Sequence, residues 1–296
     1  MKRYGIALML LVLLTGCRLS VLIPGSTPPP TQKPTSTSLP TPAPDLSDGI
    51  ELTDTQEVVN EVRGLCCEDG WWDYLFEAES QNREAISNGE DFDFGAEFLE
   101  SLEAVGERFD ANQYFEVLTH LEPEDGYVLD YVYFAPGGDG LPYLYARQEG
   151  EQPFATYSEY EEAGFEDYLG HIRVDGTAEG FFEFAVLSIM GQQFYLSWHA
   201  EYNDREVVSS RERLEVIIDM LNEEYAPLTE EQVEAVMNLD VTPITKFEGE
   251  KVLLRILVFT KWGGFYERIF TIDRNFPHQI IHEDIQLIPY NCGVMF

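Results

Sequence analysis

The order in which two hydrophobic periods succeed one another constrains this chain's fold more than any other feature. Ser209-Ser210-Arg211-Glu212 and Thr229-Glu230-Glu231-Gln232 each place a hydroxyl three residues before Glu or Gln, the spacing of a capping box. Behind them, Leu214, Ile217, Ile218 and Leu221, then Val233 and Val236, recur at helical spacing. The period then changes to two, predicting strands over 240–247, 251–260, 265–273 and 279–288, with Trp262-Gly263-Gly264 as a turn. An earlier cycle has the same order. Helical patterns cover 53–63, 72–86 and 95–108, and Asp110 stands as the N-cap of a helix over 111–121. Strands are expected at 127–134 and 141–147, joined by Gly137-Gly138-Asp139-Gly140, then at 170–174, 180–189 and 192–202. The last two read as a hairpin turning at Met190-Gly191. Helices followed by antiparallel meanders predict an α+β fold rather than a parallel doubly wound sheet. The two cycles suggest lobes at 49–204 and 205–296, meeting near 203–209, or one domain spanning both.

What precedes this body has no such periodicity. Met1-Lys2-Arg3 leads into the uncharged run Ile6-Ala7-Leu8-Met9-Leu10-Leu11-Val12-Leu13-Leu14, a basic n-region and an apolar stretch too short to span a bilayer. The run ends Leu14-Thr15-Gly16-Cys17, which resembles the lipobox of bacterial lipoproteins. The resemblance implies a signal peptide over 1–16, removed before Cys17, and diacylglyceryl and usually N-acyl groups on that cysteine. Two or more acyl chains anchor a protein stably to a membrane. Arg18 follows, where some lineages place the aspartate that retains lipoproteins at the inner membrane, so the destination leaflet is left open. Residues 24–48 are rich in Pro, Ser and Thr, including Pro28-Pro29-Pro30 and Leu39-Pro40-Thr41-Pro42-Ala43-Pro44. Such a segment buries too little apolar surface to fold and favours polyproline II. At about 3.1 Å per residue it forms a stalk of roughly 70–80 Å. The expected arrangement is therefore signal (1–16), anchor and stalk (17–48), then an acidic globular body.

The body is strongly acidic. Of 54 Asp and Glu and 18 Lys and Arg, all but two of the former and four of the latter lie beyond residue 50, and the only lysines there are Lys246, Lys251 and Lys261. That surface repels nucleic acid and anionic headgroups and suits loose calcium binding or a basic partner. Three cysteines remain, Cys66, Cys67 and Cys292. In an oxidising compartment Cys292 is expected to pair with Cys66 or Cys67, closing a loop worth roughly 5 kcal/mol in the chain-entropy model. Adjacent cysteines lack the spacing of a zinc site.

Four groups carry candidate chemistry. In the expected strand 192–202, Phe194, Leu196, Trp198, Ala200 and Tyr202 form an apolar face, leaving His199 and Glu201 together on the other, able to polarise a water or hold a cation. His278 and His282 have the i, i+4 spacing of helical metal ligands, but their isoleucine-rich surroundings favour a strand, where residues four apart lie about 13 Å apart. Tyr127, Tyr131 and Tyr133, with Tyr143, Tyr145 and Arg147, form a tyrosine-rich hairpin suited to stacking on sugars or peptides, or to packing a core. The acidic run Asn88-Gly89-Glu90-Asp91-Phe92-Asp93 offers oxygens to calcium without an EF-hand's ligand pattern.

The chain carries no G-x-S-x-G elbow, Walker loop, dinucleotide fingerprint or H-E-x-x-H. Segments such as Gly126-Tyr127-Val128-Leu129-Asp130-Tyr131-Val132-Tyr133 and Tyr143-Leu144-Tyr145-Ala146-Arg147 resemble uncharacterised bacterial envelope lipoproteins, a likeness that implies no activity. The expectation is a lipid-anchored, exported protein of the cell envelope that binds or organises and does not catalyse. It needs no cofactor beyond weak calcium binding, its only membrane contact is the lipid, and its partner is an envelope protein or glycan. The alternatives are an envelope hydrolase working at His199 and Glu201, and a calcium-dependent binding module.

Overall fold

Strand β8 (Lys251–Thr260) is the axis of the fold, and its sequence KVLLRILVFT is apolar on both faces because both are covered. A computed structural model describes residues 44–66, 71–87, 94–135, 139–164, 167–197, 204–223 and 226–293. Along one edge, β8 pairs over its whole length with β9 (Gly264–Asp273), from Lys251↔Asp273 to Thr260↔Gly264. Two shorter strands share the other edge end to end: β7 (Ile244–Glu248) against its first half and β6 (Arg205–Val208) against its last four residues. Strand β1 (Ile50–Glu51) continues beyond β7, and β10 (Ile280–Pro289) beyond β9, all antiparallel. A bulge between Gln286 and Ile288 shifts the register of β10. Before it Asp284 and Gln286 lie opposite Arg268 and Tyr266; after it Ile288 lies opposite Phe265, on the other face.

Each face of this sheet has its own core. Val252, Leu254, Ile256, Val258, Phe270 and Ile272 pack under α6 (Ala178–Met190) and the N-terminal helices α1 (Thr55–Gly64) and α3 (Phe94–Val105). On the opposite face Leu257, Phe259, Phe265 and Ile288 meet α7 (Arg211–Glu223) and α8 (Glu230–Met237) through Leu214, Ile217, Leu221 and Val236. The remaining elements flank the first core. They are α2 (Trp71–Ser87), the turn of α4 (Tyr114–Val117), the pair β2 (Leu121–Pro123) and β5 (Ile172–Val174), the hairpin β3 (Tyr127–Phe134) and β4 (Leu141–Gln148), and α5 (Tyr157–Ala163). The α+β fold with antiparallel meanders is the architecture expected from the order of periods.

Several local expectations are met and several are corrected. Thr229 makes a complete capping box with Gln232. The second box moves by one residue: Ser210 accepts the Arg213 N–H (3.1 Å), while the Ser209 N–H donates to Gln56. Asp110 caps only a short turn, and the helix ends at Val117 rather than 121 because Leu121 enters β2. The largest correction is α6, where a strand was expected over 180–189. Thr177 caps it by accepting the Gly180 N–H (3.0 Å), and it is buried nearly all round. A helix apolar on every side shows no 3.6 period, so its run of Phe, Ala, Val and Leu imitates a buried strand. Gly180 permits the approach to β5, since a Cβ there would lie 2.6 Å from Asp175 Oδ1 and 2.8 Å from Val174 Cγ1. The hairpin partner expected over 192–202 is not a regular strand in its described part, 192–197, and its remainder lies outside the described residues. Residues 192–197 are irregular, Tyr195 has φ 51°, and Ser197 makes an isolated bridge to Gly140.

The cores do not divide at residue 204. β1 joins the sheet through β7, β6 occupies the anticipated boundary as a sheet strand, and Asp45–Phe296 forms one compact unit. The bridge expected at Cys292 is also corrected. Cys292 is a free thiol, 3 % exposed, packed in the α7–α8 core, whereas Cys66 packs against the core on the other face.

Candidate functional site

The tyrosine hairpin forms where expected but is not a single face. Its register pairs Tyr127 with Gln148 and Val132 with Tyr143, so odd residues of β3 share a face with even residues of β4. Tyr131 and Tyr133 therefore point into the main core, where their hydroxyls donate to the Phe109 and Tyr195 carbonyls (3.1 and 2.6 Å). Tyr143 and Tyr145 project the opposite way, against Phe154, Tyr157 and Tyr160 around α5. Burial pushes the phenol of Tyr145 far above its usual range, as it does for Tyr131 and Tyr133. Arg147 is held by Asp130 (2.9 Å), which also binds Arg108 (3.3 Å). These side chains hold the hairpin in place through packing and hydrogen bonds.

His278 is 4 % exposed and structural. Its Nε2 accepts the Val174 N–H (3.2 Å), so Nδ1 carries the proton and donates to the Asp273 carbonyl (2.8 Å). Both nitrogens are thus engaged, and Phe181, Phe184 and Phe276 surround the ring. His282 lies separately on β10 opposite Phe270. No group of three or more metal-ligating side chains occurs among the described residues. His199, Glu201, the acidic run 88–93, Cys67 and Cys17 lie outside the described residues.

A site that sequence reasoning passed over lies at the end of the sheet face carrying the main core, beyond Val258. There Arg205 on β6, Tyr266 and Arg268 on β9, and Asp284 and Gln286 on β10 line a hollow of about 420 Å3 with Trp262 from the β8–β9 turn. The ladders bring them together, since Arg205 pairs with Thr260, Tyr266 with Val258 and Gln286, and Arg268 with Asp284. A second hollow of about 220 Å3, lined by Arg63, Trp71, Gln193 and Tyr195, meets the first at Arg205.

The charges in this place are unequal. Arg268 grips Asp284 through Nε and Nη2, both at 2.6 Å. Burial raises the Asp284 carboxyl pKa, but those hydrogen bonds and the guanidinium charge outweigh it and hold the group below its ordinary range. Elsewhere Arg63, Arg108, Arg147, Arg213 and Arg255 each sit against a carboxylate. Arg205 does not: it is exposed and, like Arg211 and Arg274, has no carboxylate at ion-pair distance among the described residues, although its charge reaches His282 and Asp284. Tyr266 is held by Gln286, whose Nε2 donates to its hydroxyl (3.2 Å) and to the Gly263 carbonyl (2.8 Å). Gly263 leaves the room, because a Cβ there would meet the Tyr266 hydroxyl at 2.1 Å.

One other polar cluster was invisible in the sequence because its members lie 55 and 63 residues apart. His120 Nδ1 lies 2.7 Å from Asp175 Oδ2, and buried Glu183 on α6 accepts the His120 N–H at 2.8 Å. The hydrogen bond to Asp175 raises the imidazole pKa, and burial raises that of Glu183. Asp175 also receives the Thr177 N–H and hydroxyl (2.9 and 2.6 Å), so the group fastens β2 to the start of α6. No protein-family model, curated protein or solved structure matches this chain.

Proposed function

We propose that this chain is an exported lipoprotein, anchored through Cys17, whose acidic body binds a ligand in the cell envelope at the hollow beside Arg205 and does not transform it. The observation that carries the binding reading is the Arg205 guanidinium, which lines both hollows and has no carboxylate at ion-pair distance among the described residues, in a body where most of the described arginines are ion-paired. The anchor is supported by Leu14-Thr15-Gly16-Cys17 behind an apolar run and ahead of a proline-rich stalk. Binding sites are typically concave, with a few convergent polar groups among aromatic walls, and Trp262 and Tyr266 beside Arg205 have that character.

Expression with intact export machinery tests the anchor. Mass spectrometry of the mature N-terminal peptide should show a chain beginning at Cys17 and carrying acyl mass, and Cys17→Ser should release the protein from the membrane fraction. An unlipidated N-terminus would overturn this part. Turnover of an envelope substrate by the full chain, abolished by His199→Ala, would replace the binding reading with the hydrolase.

A further inference from the structure

We infer that the hollow between Arg205 and Tyr266 selects a small monocarboxylate carried on a ring or similarly flat apolar body. This deepens the binding reading above and rests on it. Arg205 contributes one positive charge with no carboxylate at ion-pair distance among the described residues, while the charges of Arg268 and Asp284 cancel within their bidentate pair. The charged groups lining the larger hollow therefore sum to +1, with Asp204 on the side of the smaller one. A phosphate dianion would exceed it and would face Asp284. A polyanionic chain would extend over a surface that is acidic almost everywhere else, within the roughly 8 Å over which physiological salt leaves charges felt.

The donor geometry fits a carboxylate. A guanidinium presents a planar fork that matches two carboxylate oxygens. The Tyr266 hydroxyl accepts from Gln286, so its own proton is available to donate into the hollow. The rest of the lining includes the aromatic side chains of Trp262 and Tyr266, and about 420 Å3 suits a small ring-bearing ligand. Tyr266 is fixed by Gln286 and Gly263 before any ligand arrives, so little ordering is required on binding.

The test is calorimetric titration of the full chain in detergent with benzoate, with benzamide as its neutral isostere, and with inorganic phosphate. Benzoate should saturate in the millimolar range or below, benzamide should bind at least tenfold more weakly, and phosphate should give no saturable heat. Arg205→Gln, at an exposed position, should weaken benzoate at least tenfold and leave benzamide unchanged; Tyr266→Phe should weaken benzoate several-fold. Equal binding of benzamide and benzoate, both weakened by Trp262→Ala, would keep the hollow as a binding site and overturn its preference for an anion. Tighter binding of phosphate would overturn the monocarboxylate in favour of a phosphoryl ligand. No binding of any probe by the folded chain would overturn the selectivity and the binding site together.

Discussion

Replacing His278 by alanine perturbs the body at a point where three segments meet. The ring joins the β5 backbone at Val174 to the Asp273 carbonyl at the end of β9, and lies edge-on to Phe181 and Phe184 of α6. Removing it strips a part-buried N–H and a part-buried carbonyl of their partners, at about 1–2 kcal/mol each. The aromatic contacts add on the order of 1 kcal/mol. We expect a loss of about 4 kcal/mol, a large share of the roughly 5–15 kcal/mol of a typical domain. His278→Asn, which keeps a donor and an acceptor, should recover part. The pH dependence separates this role from simple packing. Burial lowers the imidazole pKa, the charge of Arg173 lowers it further, and the Asp273 carbonyl and carboxylate only partly oppose them. The imidazolium is thus disfavoured in the folded state. Its neutral form contributes fully above the unfolded value of about 6.5. As pH falls below that value the unfolded chain takes up a proton that the folded chain resists, and stability is lost at up to about 1.4 kcal/mol per unit until the lowered folded pKa is passed. The alanine variant lacks this slope. Urea unfolding followed by tryptophan fluorescence should show the gap between wild type and His278→Ala shrinking from pH 7.5 to 5.5. A cost below about 1 kcal/mol, or a gap that widens towards acid, would refute the assigned tautomer and bonding.

Two further outcomes follow from buried groups. Glu206 is 6 % exposed between Arg63 and Arg213, so Glu206→Gln should cost about 2 kcal/mol in urea unfolding, a figure kept low because Arg63 is a third exposed. Cys292 should resist a thiol reagent in the native chain and react fully in urea, and Cys292→Ser should cost about 1–2 kcal/mol while leaving a folded chain, since no bridge to it is lost.

What could be read from the sequence depended on whether an element has two unlike faces. Strands β8, β9 and β10 alternate or are bounded by turn residues, and were expected to within about a residue; α7 and α8 expose one face and carry caps at their starts. Helix α6 has no polar face to supply a period, and its capping Thr177 was lost beside an apolar run that also suits a strand. Strand β6 is only Arg-Glu-Val-Val, too short to show a period, and acquires its identity from pairing with Leu257–Thr260, half a hundred residues further on.

The candidate site shows the same limit more sharply. On the tyrosine hairpin each strand's aromatic residues are plain in the sequence, but whether the two sets share a face depends on one unit of register. Tyr127 opposite Gln148 makes the partner numbers differ in parity, which sends Tyr131 and Tyr145 to opposite faces and turns an apparent stacking platform into two pieces of core. The hollow depends on register in the other direction. Arg205, Tyr266 and Gln286 stand on three strands, and become neighbours only because β6 takes the edge of β8 that β7 leaves open and the β10 bulge falls after Gln286 rather than before it. A one-residue shift of that bulge would turn Gln286 to the other face and release Tyr266, so the site is a property of pairing geometry before it is a property of any motif.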